Sequence, residues 1–225
     1  MKYEQINNNR VVLTGEVYSE PVFSHETFGE AFYEVQLAVL RLSEKIDIIP
    51  IVISEKLVAD KRFGLGKTIC VKGQFRSYNK QDKDKSKLIL TVFAREIVEP
   101  NQEVNPNIIE ITGFICKAPI YRTTPFKREI CDILVAVNRS YNKSDYLPCI
   151  AWGRNARFIK DIQVGTKIFV IGRIQSREYQ KKSSNGDVIN KIAYEISINR
   201  IQTENQQSSS LINNEEVDDN DAINL

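Results

Sequence analysis

The 225-residue sequence has one histidine, His25, one tryptophan, Trp152, and four cysteines. Cys70, Cys116, Cys131 and Cys149 form no C-x-x-C pair, and His25 has no cysteine near it in sequence. Zinc spacings are therefore missing, and the thiols are expected to be reduced and mostly buried. No metal and no cofactor is expected. A lone histidine with no paired nucleophile offers no catalytic constellation, so an enzyme is not expected. "GLGKT" (64–68) ends like a phosphate-binding loop, but that motif needs glycine where Lys61 stands. No apolar run approaches the roughly 18 residues that span a bilayer. "MKYEQINNNRVVLTG" has no apolar leader segment. A cytoplasmic protein with no membrane contact is the expectation.

Charge is plentiful but unevenly placed. The net charge of +2 conceals blocks of opposite sign. Residues 1–100 hold 15 Lys and Arg against 14 Asp and Glu, and residues 101–107 hold one Glu. Residues 108–201 hold 16 basic against 8 acidic side chains, while residues 202–225 hold 6 acidic and no basic ones. A basic body with an acidic tail suggests a polyanion-binding surface and an appendage that polyanions repel.

The chain also repeats itself. Thr14-Gly15 and Pro21 align with Thr112-Gly113 and Pro119 at an offset of 98. The same offset pairs Ala38, Arg41, Asp47 and Pro50 with Ala136, Arg139, Asp145 and Pro148. One residue of drift later, Gly73 aligns with Gly172. This divides the chain into a first copy (1–99), a polar linker (100–107), a second copy (108–201) and an acidic tail (202–225) expected to be disordered.

Each copy reads as strand. In the second, "NIIEITGFI", "EICDILVAVN", "YLPCIAW", "KIFVIGRIQSREY" and "VINKIAYEISI" are rich in β-branched residues, and "SSNGD" (183–187) carries a hairpin turn. "RNARFIKDI" (154–162) fits a short helix after the third strand. The expectation is all-β: two tandem OB-fold five-stranded barrels, each with a short helix between strands 3 and 4. Another small barrel fits the pattern as well. Strand alternation puts Tyr146, Pro148, Ile150 and Trp152 on one face, and Arg173, Gln175, Arg177 and Tyr179 on one face of the next strand. Arg139, Tyr141 and Lys143 fall at the rim of the turn between the second and third strands. Aromatic rings interleaved with arginines suit single-stranded nucleic acid, whose bases stack and whose phosphates pair with cations.

The second copy resembles the bacterial single-stranded DNA-binding proteins. The pieces that carry the likeness are the TG of the first strand, "AVNR", "Y-x-P-x-x-AWG" and "G-x-x-x-x-R-x-Y". The resemblance implies an OB-fold that binds single-stranded DNA with little sequence preference, protecting it in replication, recombination or repair near the nucleoid. It implies stacking by Tyr141, Tyr146, Trp152 and Tyr179 and a basic contact at Arg177; Arg139, Arg173 and Lys143, placed near them by alternation and the turn, add charge. By family analogy two OB-folds per chain imply a homodimer with four. The tail, with Asp218, Asp219, Asp221, Ile223 and Leu225, matches the acidic segment by which the family recruits replication and repair proteins. It lacks the usual Pro-Phe end. The first copy departs from the pattern, with Ser43, Ile48 and Ser54 where the second has Tyr141, Tyr146 and Trp152. Tyr78 is matched to Tyr179 as a weaker contact. A binding face degenerate in the first copy is the expectation, and serine in place of Trp152 argues that this ring is no core requirement. The alternative function is a protein-interaction adaptor of a primosome or recombination complex.

Overall fold

In the computed structural model, residues 7–41, 43–82, 85–101, 106–182 and 188–204 are described. The chain order is β1 (Asn9–Val17), β2 (Val22–Thr27), β3 (Glu30–Leu40), β4 (Ile46–Ser54), α1 (Glu55–Val58), β5 (Thr68–Asp82) and β6 (Lys85–Val98). The second copy repeats it as β7 (Asn107–Ile115), β8 (Ile120–Thr123), β9 (Glu129–Arg139), β10 (Lys143–Trp152), α2 (Gly153–Ile159), β11 (Lys167–Lys182) and β12 (Val188–Thr203). Alternation explains the strands: in β1 and β7 every second residue is buried, including Val11, Leu13, Ile109 and Ile111. The last strand runs past Ile201 to Thr203.

Each barrel closes because its first strand pairs on two sides. β1 meets β5 along its length and β3 at its end, through Glu16 opposite Ala38. β7 does the same with β11 and β9. Closure brings β1 against β3 so tightly that a Cβ on Gly15 would lie 2.5 Å from the Ala38 carbonyl oxygen; Gly113 meets Ala136 at the same distance. The two glycines that mark the repeat are thus places where the backbones touch. With the edge strands β2 and β8 set aside, the short helices stand between the third and fourth strands of each barrel, as the OB pattern requires. A sixth strand was not legible: β2 and β8 are edge strands with most or all side chains exposed, so they carry no apolar alternation.

The barrels share one sheet, ordered β2-β3-β4-β6-β5-β1-β7-β11-β12-β10-β9-β8. At its centre β1 runs antiparallel to β7, pairing Asn9 with Ile111 and Leu13 with Asn107. The order reads the same from either end, so the copies are related by an approximate two-fold axis through this seam. Asn9 bonds both backbone groups of Phe75, and Asn107 does the same to Ile174.

A second pair of links crosses the seam. Asp47, fully buried on β4, accepts from the Ser176 backbone N–H (2.7 Å) and hydroxyl (2.8 Å) on β11. Arg41 holds the same carboxylate from its own barrel at 2.5 and 2.6 Å. In the mirrored position, buried Asp145 accepts from the Ser77 N–H at 2.7 Å and from Arg139 at 3.1 Å. Asp47, Asp145, Ser77 and Ser176 are repeat-matched residues serving as reciprocal latches.

Candidate nucleic-acid interface

The latches bring the edge of each barrel over the outer face of the other, leaving two clefts. The larger, about 720 Å³, is walled by Trp152, Ile150, Arg173 and Arg177 of the second copy, by Arg122 and Arg128 near the β8–β9 turn, and by Arg41 and Lys45 of the first copy. Trp152 ends β10 directly before α2 and is 39% exposed, with buried Ile130 as its cross-strand neighbour. Its ring forms a wall of the cleft rather than part of the core.

Arg41 is paired with Asp47 and Arg122 with Asp132 (2.7 Å), but Arg173 has no such partner among the described residues. Arg173 is half-buried; it donates to the Gln175 side chain at 3.2 Å, and its buried Nε has no hydrogen-bond partner. Burial, followed by the charge of Arg41, pushes its pKa below the usual guanidinium value, against the pull of Asp47. This crowded, half-buried cation has no carboxylate of the described residues in hydrogen-bond contact, and a phosphate supplies an anion of matched geometry. Glu195 partly offsets the charge, lying 3.6 Å from Arg177.

The smaller cleft, about 310 Å³, lies on the other side of the axis. Gln74, Arg76 and Arg95 of the first copy face Arg139, Tyr141 and Lys143 of the second. Burial and then the charges of Arg139 and Arg95 lower the Arg76 pKa, Asp145 opposing. The two clefts carry the same chemistry in exchanged order: Arg76 donates to Gln74, and Arg173 donates to Gln175.

The residues anticipated as one face are therefore divided. Trp152, Arg173 and Arg177 share the larger cleft, while Arg139, Tyr141 and Lys143 lie at the smaller one, over the first copy. Tyr179 is exposed beyond Arg177, whose guanidinium lies 5.9 Å from its ring. Tyr146 is exposed on β10, and its N–H donates to the Ser77 hydroxyl. Arg139 is engaged with Asp145. Gln175 is buried against Glu195 and leaves the exposed face.

Two expectations need correction. β10 and β11 are not neighbours, because β12 lies between them and pairs in parallel with β10. Tyr78 corresponds to Arg177, since Ser77 and Ser176 occupy equivalent latch positions. The tail residues Asp218, Asp219, Asp221, Ile223 and Leu225 lie outside the described residues, as does the 183–187 turn. Arg41, Lys45, Arg76, Arg95, Arg122 and Arg128 were not anticipated. Arg41 was visible as a repeat-matched residue, but nothing in sequence places it against the other barrel.

A closed five-stranded barrel with a helix between strands 3 and 4, doubled about a strand-paired seam, is a tandem OB-fold. Residues 106–204 match the model of the single-strand binding protein family. The match covers the second copy, which carries that family's motifs, and the first copy has the same fold. It is 30% identical over 83 residues to single-stranded DNA-binding protein 1 of Staphylococcus aureus, covering 34% of this chain and 50% of that protein. The chain thus spans about half the length of the curated relatives it matches. Among solved structures, a deletion variant of the single-stranded DNA binding protein from Thermus aquaticus superposes with a TM-score of 0.64 at 18% identity, over 87% of this chain and 93% of that one. The N-terminal domain of PriB protein from Thermoanaerobacter tencongensis is 45% identical over 41% of this chain and 98% of its own, with a TM-score of 0.36.

Proposed function

We propose that the protein binds single-stranded DNA without catalysis and with little sequence preference. Bases stack on Trp152 in the larger cleft, while Arg173 and Arg177 take the phosphates. The observation that carries this reading is the crowded, incompletely satisfied Arg173 beside an exposed tryptophan ring. Stacking uses the π-face that every base has, and arginines read only the backbone, so sequence matters little. Tyr146 and Tyr179 extend the same surface. Two chains associate to give four OB-folds, and the acidic tail engages replication or repair proteins while competing with DNA for the arginines.

Trp152 is the only tryptophan, so its fluorescence reports its own cleft. Titration with oligo-dT at low salt is expected to quench it, and added salt to reverse the quenching. Absence of quenching and of gel retardation at micromolar protein refutes the reading. Light scattering is expected to give the mass of two chains.

A further inference from the structure

We propose that the first copy has a nucleobase-stacking platform of its own, formed by His25, Phe32 and Phe93 and ended by Arg76, separate from the Trp152 cleft. The inference rests on the single-stranded DNA reading above. Position by position the first copy looks stripped of aromatics, because Ser54 stands where the second copy has Trp152. The register shows where the ring went. Ser54 pairs with Phe32, whereas Trp152 pairs with Ile130. The large and small side chains have changed strands on the same face of the sheet.

That exchange builds a row. His25 on edge strand β2 stacks on Phe32 of β3, with ring centroids 5.0 Å apart and planes 10° apart. Phe32 meets Phe93 of β6 at 5.6 Å, passing over β4 where serine leaves the space. The Arg76 guanidinium of β5 lies 5.5 Å from the Phe93 centroid. The row runs across five strands, from β2 to β5, and is on the solvent side of the barrel: His25 is exposed, Phe32 and Phe93 half-buried.

Cross-strand packing alone asks for the rings but not for what lies at their end. There the row opens into the smaller cleft, with Arg76, Arg95, Lys143 and the exposed Tyr141 ring gathered around it. Bases on the row and phosphates on Arg76 and Arg95 make one continuous path, which the second copy's turn covers at the cleft.

The test uses the full chain, dT oligomers of increasing length, and the paired change His25→Ala with Arg95→Ala, both at exposed positions. Expected is an affinity for long oligomers lowered about tenfold and a shorter protected length, with Trp152 quenching by short oligomers unchanged. Phe32→Ala, checked for folding by circular dichroism, is expected to do the same. If Trp152 is quenched normally while both variants bind long oligomers as the parent does, the row is packing only and the proposal fails. If Trp152 is never quenched but gel retardation is lost in the paired variant, the first-copy site stands and the reading of the larger cleft falls. No retardation of any chain by any oligomer overturns both.

Discussion

Replacing Asp47 by alanine tests whether the two barrels are one mechanical unit. The carboxylate is fully buried and takes four hydrogen bonds: two from Arg41, at 2.5 and 2.6 Å, and two from Ser176, at 2.7 and 2.8 Å. Alanine leaves Arg41, only 18% exposed, without its carboxylate, and strips the Ser176 N–H of its acceptor across the seam. Removing one partner of a buried ion pair costs about 3–5 kcal/mol, much of it the penalty for the charge left behind. That is a large part of the roughly 5–15 kcal/mol that holds a domain folded. Urea unfolding followed by Trp152 fluorescence should show the loss in a single transition, since β1 and β7 join both barrels. The pH dependence has a definite sign. Burial works to raise the Asp47 pKa, but the bonds from Arg41 and Ser176 outweigh it and hold the carboxyl below its ordinary value. A depressed folded value means the contribution is full above the unfolded pKa of about 3.9 and fades as pH falls below it. The gap between parent and variant should therefore narrow in acid. A loss under about 1 kcal/mol at neutral pH, or a gap that widens in acid, would refute the latch.

Three further outcomes are expected. Trp152→Ala should weaken binding of single-stranded DNA by roughly 1–3 kcal/mol while leaving the circular dichroism spectrum unchanged; loss of the folded second copy would show the ring to be core. Tyr141 and Asn142 both have positive φ, at 62° and 53°, a conformation that costs a bulky residue about 1 kcal/mol. Tyr141→Asn is expected to raise the melting temperature and lower DNA affinity; a lower melting temperature contradicts strain held for function. Truncation after Glu204, which keeps β12 and the Lys167–Glu204 pair, should leave affinity for single-stranded DNA equal or raised, measured by anisotropy; clearly weaker binding contradicts a competing tail.

The barrels were legible because strand alternation and turn residues are local. Gly15 and Gly113 were visible as a repeat before their close approaches gave the reason. The seam was not legible. β1 and β7 pair through backbone groups, which every residue has, so their sequences carry no mark of the partner. Asp47 and Asp145 showed only as matched residues, without the serines they bind. Alternation within a strand carries no information on which strands are neighbours. Tyr78 follows its latch serine as Arg177 does, a register that Gly73 and Gly172 mark and the aromatic pattern does not. The Phe32 ring stands opposite Ser54 on the adjacent strand, and strand adjacency is a property of topology.

Two identical chains meeting about an exact two-fold axis must present the same cleft twice, so any change to one changes the other. Here the chain continues through the axis. Gln74 and Arg76 can therefore stand where the other half has Arg173 and Gln175, and a phenylalanine can change strands on one side alone. Each cleft still borrows a wall from the opposite barrel, so neither half can be cut away with a whole cleft. The duplication thus gave the clefts freedom to diverge while making each barrel indispensable to the other.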